Sequence, residues 1–269
     1  MLLEFTKMNG AGNDFVVIDN RRQTIKLSAE QIAKLCHRQR GVGADGLMLL
    51  IPCASGEADW AWQFYNNDGG PAEMCGNGAR CFSRFVQKVT GVKSGFTFET
   101  IAGIIRAEFH GELVTVTLTA PKNMRLDEKV SLSIGNETIH SVNTGVPHAV
   151  LFVPDADQAM VQNLGQEIRR HAHFSPKGTN VNFVQKLGTN SIRVRTYERG
   201  VEGETLACGT GVTASALVSA KLHQFTSPVK VQVQGGDTLE VSFEQNNGDF
   251  SDVRLTGPAE FVFEGKMEI

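Results

Sequence analysis

The chain has 269 residues, 41% of them hydrophobic, and a formal charge of -3, enough to bury one large core or two ordinary ones. A charge that small, without a basic run or aromatic-basic interleaving, argues against nucleic acid as a partner. No apolar stretch reaches the length of a membrane span and Met1-Leu2-Leu3-Glu4 does not open a signal peptide, so a cytoplasmic protein is expected.

Along the chain, β-branched and aromatic content predicts short strands at Asn13 to Asp19, Leu47 to Ile51, Asp59 to Tyr65, Gly95 to Glu99, Gly103 to Phe109 and Leu113 to Thr119. Ser28-Ala29-Glu30-Gln31 is a capping box that opens a helix toward Arg38, stopping near Gly41. From Gly76 to Val89, the residues Ala79, Phe82, Phe85, Val86 and Val89 recur at helical spacing and predict a helix with a buried stripe. The segment Thr119 to Lys129, with Pro121 and mixed charges, reads as the crossover between two domains, residues 1–120 and 121–257. Strands then follow near Val130 to Ile134, Ala149 to Val153, Asn180 to Gln185 and Ser191 to Tyr197. An Ala-, Val- and Leu-rich helix runs from about Gly209 to Leu222, and strands continue from Val229 to the end.

Two short segments repeat each other. Met74-Cys75-Gly76-Asn77-Gly78-Ala79 and Ala207-Cys208-Gly209-Thr210-Gly211-Val212 each place a cysteine and two alternating glycines at the head of a predicted helix. Each follows an aromatic strand (Gln63-Phe64-Tyr65 and Thr196-Tyr197-Glu198) through a loop of nearly equal length. Gly12-Asn13-Asp14-Phe15-Val16 also echoes Thr179-Asn180-Val181-Asn182-Phe183-Val184, extending the duplication. The five cysteines, Cys36, Cys53, Cys75, Cys81 and Cys208, form an odd, irregular set without Cys-x-x-Cys spacing. That suits reduced thiols rather than a disulfide framework or a metal site.

A cysteine at a helix start sits beside backbone N–H groups that lack intrahelical partners, at the positive end of the macrodipole. Both effects stabilise a thiolate and lower its pKa from about 8.5. Gly76, Gly78, Gly209 and Gly211 keep those N–H groups open to an anionic ligand. A carboxylate held by two helix ends would place its α-carbon between two sulfurs, the arrangement needed to remove a proton from one face and return one to the other. Cys36, Cys53 and Cys81 lack this context and read as small hydrophobes.

Taken together, Met8-Asn9-Gly10-Ala11-Gly12-Asn13-Asp14-Phe15, Gly41-Val42-Gly43-Ala44-Asp45-Gly46, Asn66-Asn67-Asp68-Gly69, Cys75-Gly76-Asn77-Gly78-Ala79-Arg80-Cys81, Pro147-His148, Asn180-Val181-Asn182-Phe183, Tyr197-Glu198-Arg199-Gly200 and Cys208-Gly209-Thr210-Gly211 resemble the diaminopimelate epimerase family over essentially the whole chain. The resemblance implies an α/β (α+β) fold of two pseudo-symmetric domains, each a β-sheet rolled around a central helix, with a final strand, residues 258–269, returning to the first domain. It implies a cofactor-independent isomerase that interconverts LL- and meso-diaminopimelate for lysine and peptidoglycan precursor synthesis, without a metal, as a homodimer. By motif, Cys75 and Cys208 are the acid/base pair and His148 and Glu198 adjust their pKa values. Asn13, Asn66, Asn180, Glu198 and Arg199 hold substrate by their side chains; Gly76, Asn77, Gly209 and Thr210 do so through backbone N–H groups. Two thiolates facing one carbon would repel each other, so one shared negative charge is the expected state. Gly46 stands where other members place a glutamine, and Val146 where many have an asparagine.

The nearest rival enzymes are proline or hydroxyproline racemase-like and phenazine-biosynthesis-like isomerases. The former usually carry a histidine two residues after the first cysteine, where this chain has Asn77; the latter lack the cysteine pair. An amino-acid binder would not require two thiols, and a thiol redox protein would more often carry Cys-x-x-Cys.

Overall fold

The computed structural model describes residues 1–72 and 74–269. The chain divides into two compact units, Met1–Thr117 with Gly257–Ile269, and Leu118–Thr256. No helix among the described residues is long and apolar enough to cross a membrane.

In the first unit, β1 (Leu2–Gly10) folds back on β2 (Asn13–Asp19) through Ala11 and Gly12, with φ of 59° and 97°. Positive φ at both central residues matches the twist of a tight hairpin. α1 (Ala29–Cys36) starts at the capping box: Gln31 N–H donates to the Ser28 hydroxyl at 3.3 Å and Ser28 N–H to the Gln31 side chain at 2.9 Å. β3 (Gly46–Ile51) lies parallel to β2, and β4 (Trp60–Asn66) runs antiparallel to β3. β3 is apolar and buried along almost its whole length, as expected of a strand covered on both faces. α2 (Gly76–Thr90) follows and ends at Gly91, whose φ of 76° is the left-handed cap that glycine adopts without strain. Its buried stripe packs on β1, β2, β3 and the later strand Leu113–Thr117, and Phe82 lies edge-on to Trp62 at 5.5 Å and tilted against Phe98 at 4.9 Å. β5 (Gly95–Thr100) lies parallel to β4; β6 (Gly103–His110) and β7 (Leu113–Thr117) then add as antiparallel neighbours.

The second unit contains β8 (Lys122–Leu132), β9 (Gly135–Asn143), β10 (Pro147–Phe152), α3 (Val161–Arg170), β11 (Asn180–Gly188), β12 (Ser191–Glu198), the short β13 (Gly203–Thr205), α4 (Gly209–His223), β14 (Val229–Val233), β15 (Thr238–Asn246) and β16 (Asp249–Pro258). α4 is buried on all sides from Gly211 to Ala220 and packs on β9, β10, β11, β12, β14 and β15. An all-round apolar helix requires such a wrapping. The last strand, β17 (Glu260–Glu268), pairs antiparallel with β1 and so completes the first unit.

The strand pairings of the two units repeat one another. β9–β10 and β1–β2 are antiparallel; β10–β11 and β2–β3 are parallel; β11–β12 and β3–β4 are antiparallel; β12–β14 and β4–β5 are parallel. The last two pairings of each series, β14–β15–β16 and β5–β6–β7, are antiparallel, and β8–β9 matches β17–β1. α1 and α3 fill equivalent crossovers, as do α2 and α4. The molecule is thus a mixed α+β fold with a large share of sheet and few helices.

Several elements differ from the sequence reading. Residues 119–129, expected as a crossover, lie mostly in β8. Asn123 and Asp127 adopt φ of 55° and 58° there and register shifts flank Arg125, although Met124, Leu126, Val130 and Leu132 alternate with exposed residues along the strand. α3 was not anticipated because it lacks a capping side chain and carries Gly165, a weak helix former. That glycine is required by packing, since a Cβ there would lie 2.5 Å from the Tyr197 side chain. β1 and β9 were also unexpected; both read as mixed polar segments. The echo between the Asn13 and Asn180 segments is not the true equivalence. Phe15 pairs with Gly46 and His148 with Asn180, so the Asn13 strand corresponds to the His148 strand and the Gly46 strand to the Asn180 strand.

Candidate active site

Cys75 is the N-cap of α2, in extended conformation, and its sulfur accepts the Gly78 N–H at 3.4 Å. A Cβ at residue 78 would meet the Cys75 Cβ at 3.4 Å, an ordinary contact, so this approach does not by itself require glycine there. Beneath the first turn lies Arg80, fully buried. Its guanidinium donates to Gly76 O at 3.3 Å, to Asn77 Oδ1 at 2.8 Å and to Pro258 O at 3.1 Å. Asn77 Nδ2 donates to Asn13 Oδ1 at 2.8 Å, and Asn13 Nδ2 to Asp45 Oδ2 at 2.9 Å. A guanidinium only donates and a carboxylate only accepts, so these two ends fix the orientation of both amides between them. Asn13 therefore keeps one N–H donor and one carbonyl lone pair for further use.

Asp45 and Asp14 are held by Arg38 at 2.7 and 2.9 Å, and Lys7 reaches Asp14 at 2.7 Å and the Gly43 carbonyl. Burial alone would raise the Asp14 pKa, but the hydrogen bonds from Arg38 and Lys7 outweigh it and hold the carboxyl below its ordinary value. Asn66 is exposed at the end of β4, on a turn closed by Gly69, where a Cβ would meet the Ala29 carbonyl at 2.3 Å. Gly46 sits under the same kind of constraint, a Cβ there lying 2.6 Å from the Tyr65 carbonyl.

In the second unit Cys208 is the N-cap of α4 and is 7% exposed. Its sulfur lies 3.5 Å from the Thr210 hydroxyl, which is 2.9 Å from His148 Nε2. Asn182 Nδ2 lies 3.2 Å from His148 Nδ1 and donates to Ala149 O at 2.9 Å, while Asn182 Oδ1 accepts from Thr196 at 3.0 Å. His148 is wholly buried; burial, reinforced by the charge of Arg199, pushes its pKa down to about 3, so the ring is neutral near pH 7. Asn180 Oδ1 accepts the Arg199 backbone N–H at 2.7 Å and so anchors the turn that carries Arg199, whose guanidinium reaches Lys177 O at 3.3 Å. Glu198 closes β12 at the place equivalent to Asn66 on β4, both strands ending opposite the starts of β11 and β3.

Within the first unit Asn13 and Asn77 are thus brought together at the start of α2. In the second, His148, Thr210 and Cys208 meet at the start of α4. Sequence reasoning passed over Lys7, Arg38, Asp45 and Arg80 as partners of the first group, and Asn182, Thr196 and Thr144 as partners of the second. Asn182 had a signal: Asn180 and Asn182 alternate with Val181 and Phe183, placing two amides on one face of a buried strand. Of the other cysteines, burial pushes the Cys36 and Cys81 thiols up to about 12, which leaves them inert near neutral pH.

The diaminopimelate epimerase family model matches residues 5–123 and 140–262. The diaminopimelate epimerase of Aquifex aeolicus is 46% identical over 98% of this chain and 98% of its own length. That of Chromobacterium violaceum is 41% identical, with 100% of each chain covered. Among solved structures, a Bacillus anthracis phenazine biosynthesis protein of the PhzF family superposes with a TM-score of 0.77 at 15% identity, covering 100% of each chain. A hydroxyproline epimerase from Agrobacterium vitis gives 0.72 at 17% identity, covering 98% of this chain and 92% of its own. At such identities these two structures bear on the fold alone.

Proposed function

Since the chain belongs to the diaminopimelate epimerase family and is an isomerase of that class, we propose that it interconverts LL- and meso-diaminopimelate by proton transfer between Cys75, Cys208 and the substrate α-carbon, without a cofactor. The observation that carries this reading is the equivalence of the two cysteines. Each caps a 15-residue helix at the same place in a duplicated topology, and each is followed by Gly-x-Gly.

In the LL-to-meso direction the Cys208 thiolate takes the α-proton, and the electron pair of the broken C–H bond moves into the carboxylate. Backbone N–H groups of Gly76, Asn77, Gly209 and Thr210 stabilise the charge that develops there, acting as fixed dipoles that need no reorganisation. Cys75 then gives its S–H proton to the opposite face, ending as thiolate while Cys208 ends as thiol; the reverse reaction exchanges these roles. Asn13, Asn66, Asn180 and Glu198 position the remaining polar groups of the substrate, and Arg199 grips the distal carboxylate. His148 and Glu198 tune the thiols, a task that needs only about 1.4 kcal/mol per pKa unit. The product would enter lysine and peptidoglycan precursor synthesis in the cytoplasm; each compact unit carries one of the two cysteines.

The expected result is incorporation of solvent deuterium at the α-carbon of diaminopimelate, lost in Cys75→Ala and in Cys208→Ala. Exchange that persists in both variants, or exchange of proline or hydroxyproline instead, would overturn the reading. The homodimer implied by the family is supported by β17, whose consecutive Phe261, Val262 and Phe263 are exposed on a strand that pairs with β1. Such an apolar strand calls for a cover, and a second copy of this chain would provide it. Sedimentation velocity at micromolar concentration should show a dimer that Val262→Lys weakens; a monomeric wild type would remove the assignment.

A further inference from the structure

We infer that Asn182 and Thr210 are positioning residues that aim a one-way series of hydrogen bonds at the Cys208 sulfur, making Cys208 the thiolate of the resting enzyme. This inference rests on the proposed role of Cys208 as a proton-transfer residue and adds the device that sets its charge.

The direction follows from which atoms can only donate or only accept. Ala149 O is a carbonyl and can only accept, so the atom of Asn182 that faces it at 2.9 Å is the NH2 group. The Thr196 hydroxyl donates to Asn182 Oδ1 at 3.0 Å, which agrees with that orientation. The second N–H of the same NH2 group then points at His148 Nδ1, 3.2 Å away, and this nitrogen must carry a lone pair. The proton of the neutral ring therefore sits on Nε2, which donates to the Thr210 hydroxyl oxygen at 2.9 Å. That leaves the Thr210 hydroxyl hydrogen available to Cys208 Sγ at 3.5 Å, and this is the only direction the bond can take once the sulfur is ionised. A thiolate accepts such a bond far better than a thiol does, so the series lowers the free energy of the ionised sulfur.

The surrounding packing enforces the geometry. Asn182 and His148 are both fully buried, and Thr144 donates to the Thr210 carbonyl at 2.8 Å, pinning the first turn of α4. A Cβ at Gly211 would lie 2.3 Å from Asn182 Oδ1 and 3.3 Å from the His148 ring. The second glycine of the Cys-Gly-Thr-Gly motif is thus the space into which the amide and imidazole fit. Charged groups on the neighbouring elements are engaged elsewhere: Arg193 with Asp157, Arg195 with Glu204, and Lys186 and Lys221 over Phe225 and Phe250. His140 on β9 accepts the Asp127 N–H, and His223 at the end of α4 packs edge-to-face with Phe152. Glu198 closes β12 and Arg199 follows it, and the field of Arg199 opposes a proton on His148, which also keeps the ring a one-way donor.

The test is iodoacetamide labelling of the full-length protein across pH, followed site by site by peptide mass mapping. Thr210→Val removes the hydroxyl and keeps the shape. It should raise the Cys208 titration midpoint by about one unit and slow its labelling near neutral pH about tenfold, while the Cys75 midpoint stays or falls as it takes up the shared charge and does not rise. Thr210→Ser should restore the wild-type profile. Asn182→Asp, which can only accept toward Ala149 and His148, should shift Cys208 in the same direction as Thr210→Val. An unchanged Cys208 midpoint in folded Thr210→Val, or a Thr210→Ser protein that behaves like Thr210→Val, would overturn the inference. Labelling needs no substrate, so its outcome is independent of whether diaminopimelate is the compound turned over.

Discussion

At the start of α2 the hydrogen bonds run from Arg80 through Asn77 and Asn13 to the Asp45 carboxylate, ending away from the sulfur of Cys75. At the start of α4 they run from Asn182 through His148 and Thr210 toward the sulfur of Cys208. The backbones are equivalent: both cysteines are extended N-caps of 15-residue helices in units whose strands pair in the same order. They differ in the cap contact, since the Gly78 N–H donates to the Cys75 sulfur, and in the side chains that read the two helix starts. A duplicated fold supplies two equal thiol positions, whereas transfer of a proton from one sulfur to another through a carbon requires unequal ones. The residue two places after each cysteine carries the distinction, because Asn77 passes donation outward to Asn13 and Thr210 passes it inward to Cys208.

The two Gly-x-Gly segments offer the sharpest way to separate these roles. In Gly211→Ala the new methyl would displace the buried Asn182 amide, and overpacking together with broken hydrogen bonds should cost about 3–5 kcal/mol. Thermal unfolding should show the loss, and deuterium exchange at the substrate α-carbon should fall with it; an unperturbed protein would mean that the amide can move freely.

Acid titration probes the second unit's polar core next. His148 is held at about 3 in the folded protein and titrates near 6.5 when unfolded. Below pH 6.5 the unfolded chain therefore binds more protons, so this stabilising term is complete above 6.5 and declines as pH falls toward 3. About 2 kcal/mol should be lost by about pH 5. Denaturant unfolding of His148→Gln should show a shallower decline by roughly one proton across that window; parallel slopes for both proteins would contradict the burial of a neutral ring.

Gly78→Ala should have the smallest effect. Its new Cβ would meet Cys75, Phe15 and Met48 at 3.4 to 3.5 Å, which is ordinary contact. The change should leave stability within about 1 kcal/mol, with helix propensity favouring alanine. A collapse as large as that of Gly211→Ala would abolish the contrast drawn between the two helix starts.

Much of the fold could be read along the chain. The capping box at Ser28 and the stripe on α2 are local signals, since each depends on residues within one or two turns. β1 and β9 were not legible because their own patterns are weak, and α3 because it lacks a capping side chain and is interrupted by Gly165. β1 pairs with β17 at the far end of the chain, and Gly165 interrupts α3 because Tyr197 occupies the space beside it. The same applied to the sites. Cys75 and Cys208 stood out through repetition, but Arg80 resembled an ordinary helical arginine and Asn182 one more strand amide until burial showed what each must bind.

The order of residues by itself determined the duplication, the two helix-capping cysteines and the open N–H groups that follow them, because glycine spacing and helix starts are properties of neighbours in the chain. Tertiary structure alone decided which atom of each amide faces which partner, which nitrogen of His148 carries the proton, and why residue 211 has no side chain. Those outcomes depend on donor-only and acceptor-only groups brought together from separate strands, and no local pattern records how they meet.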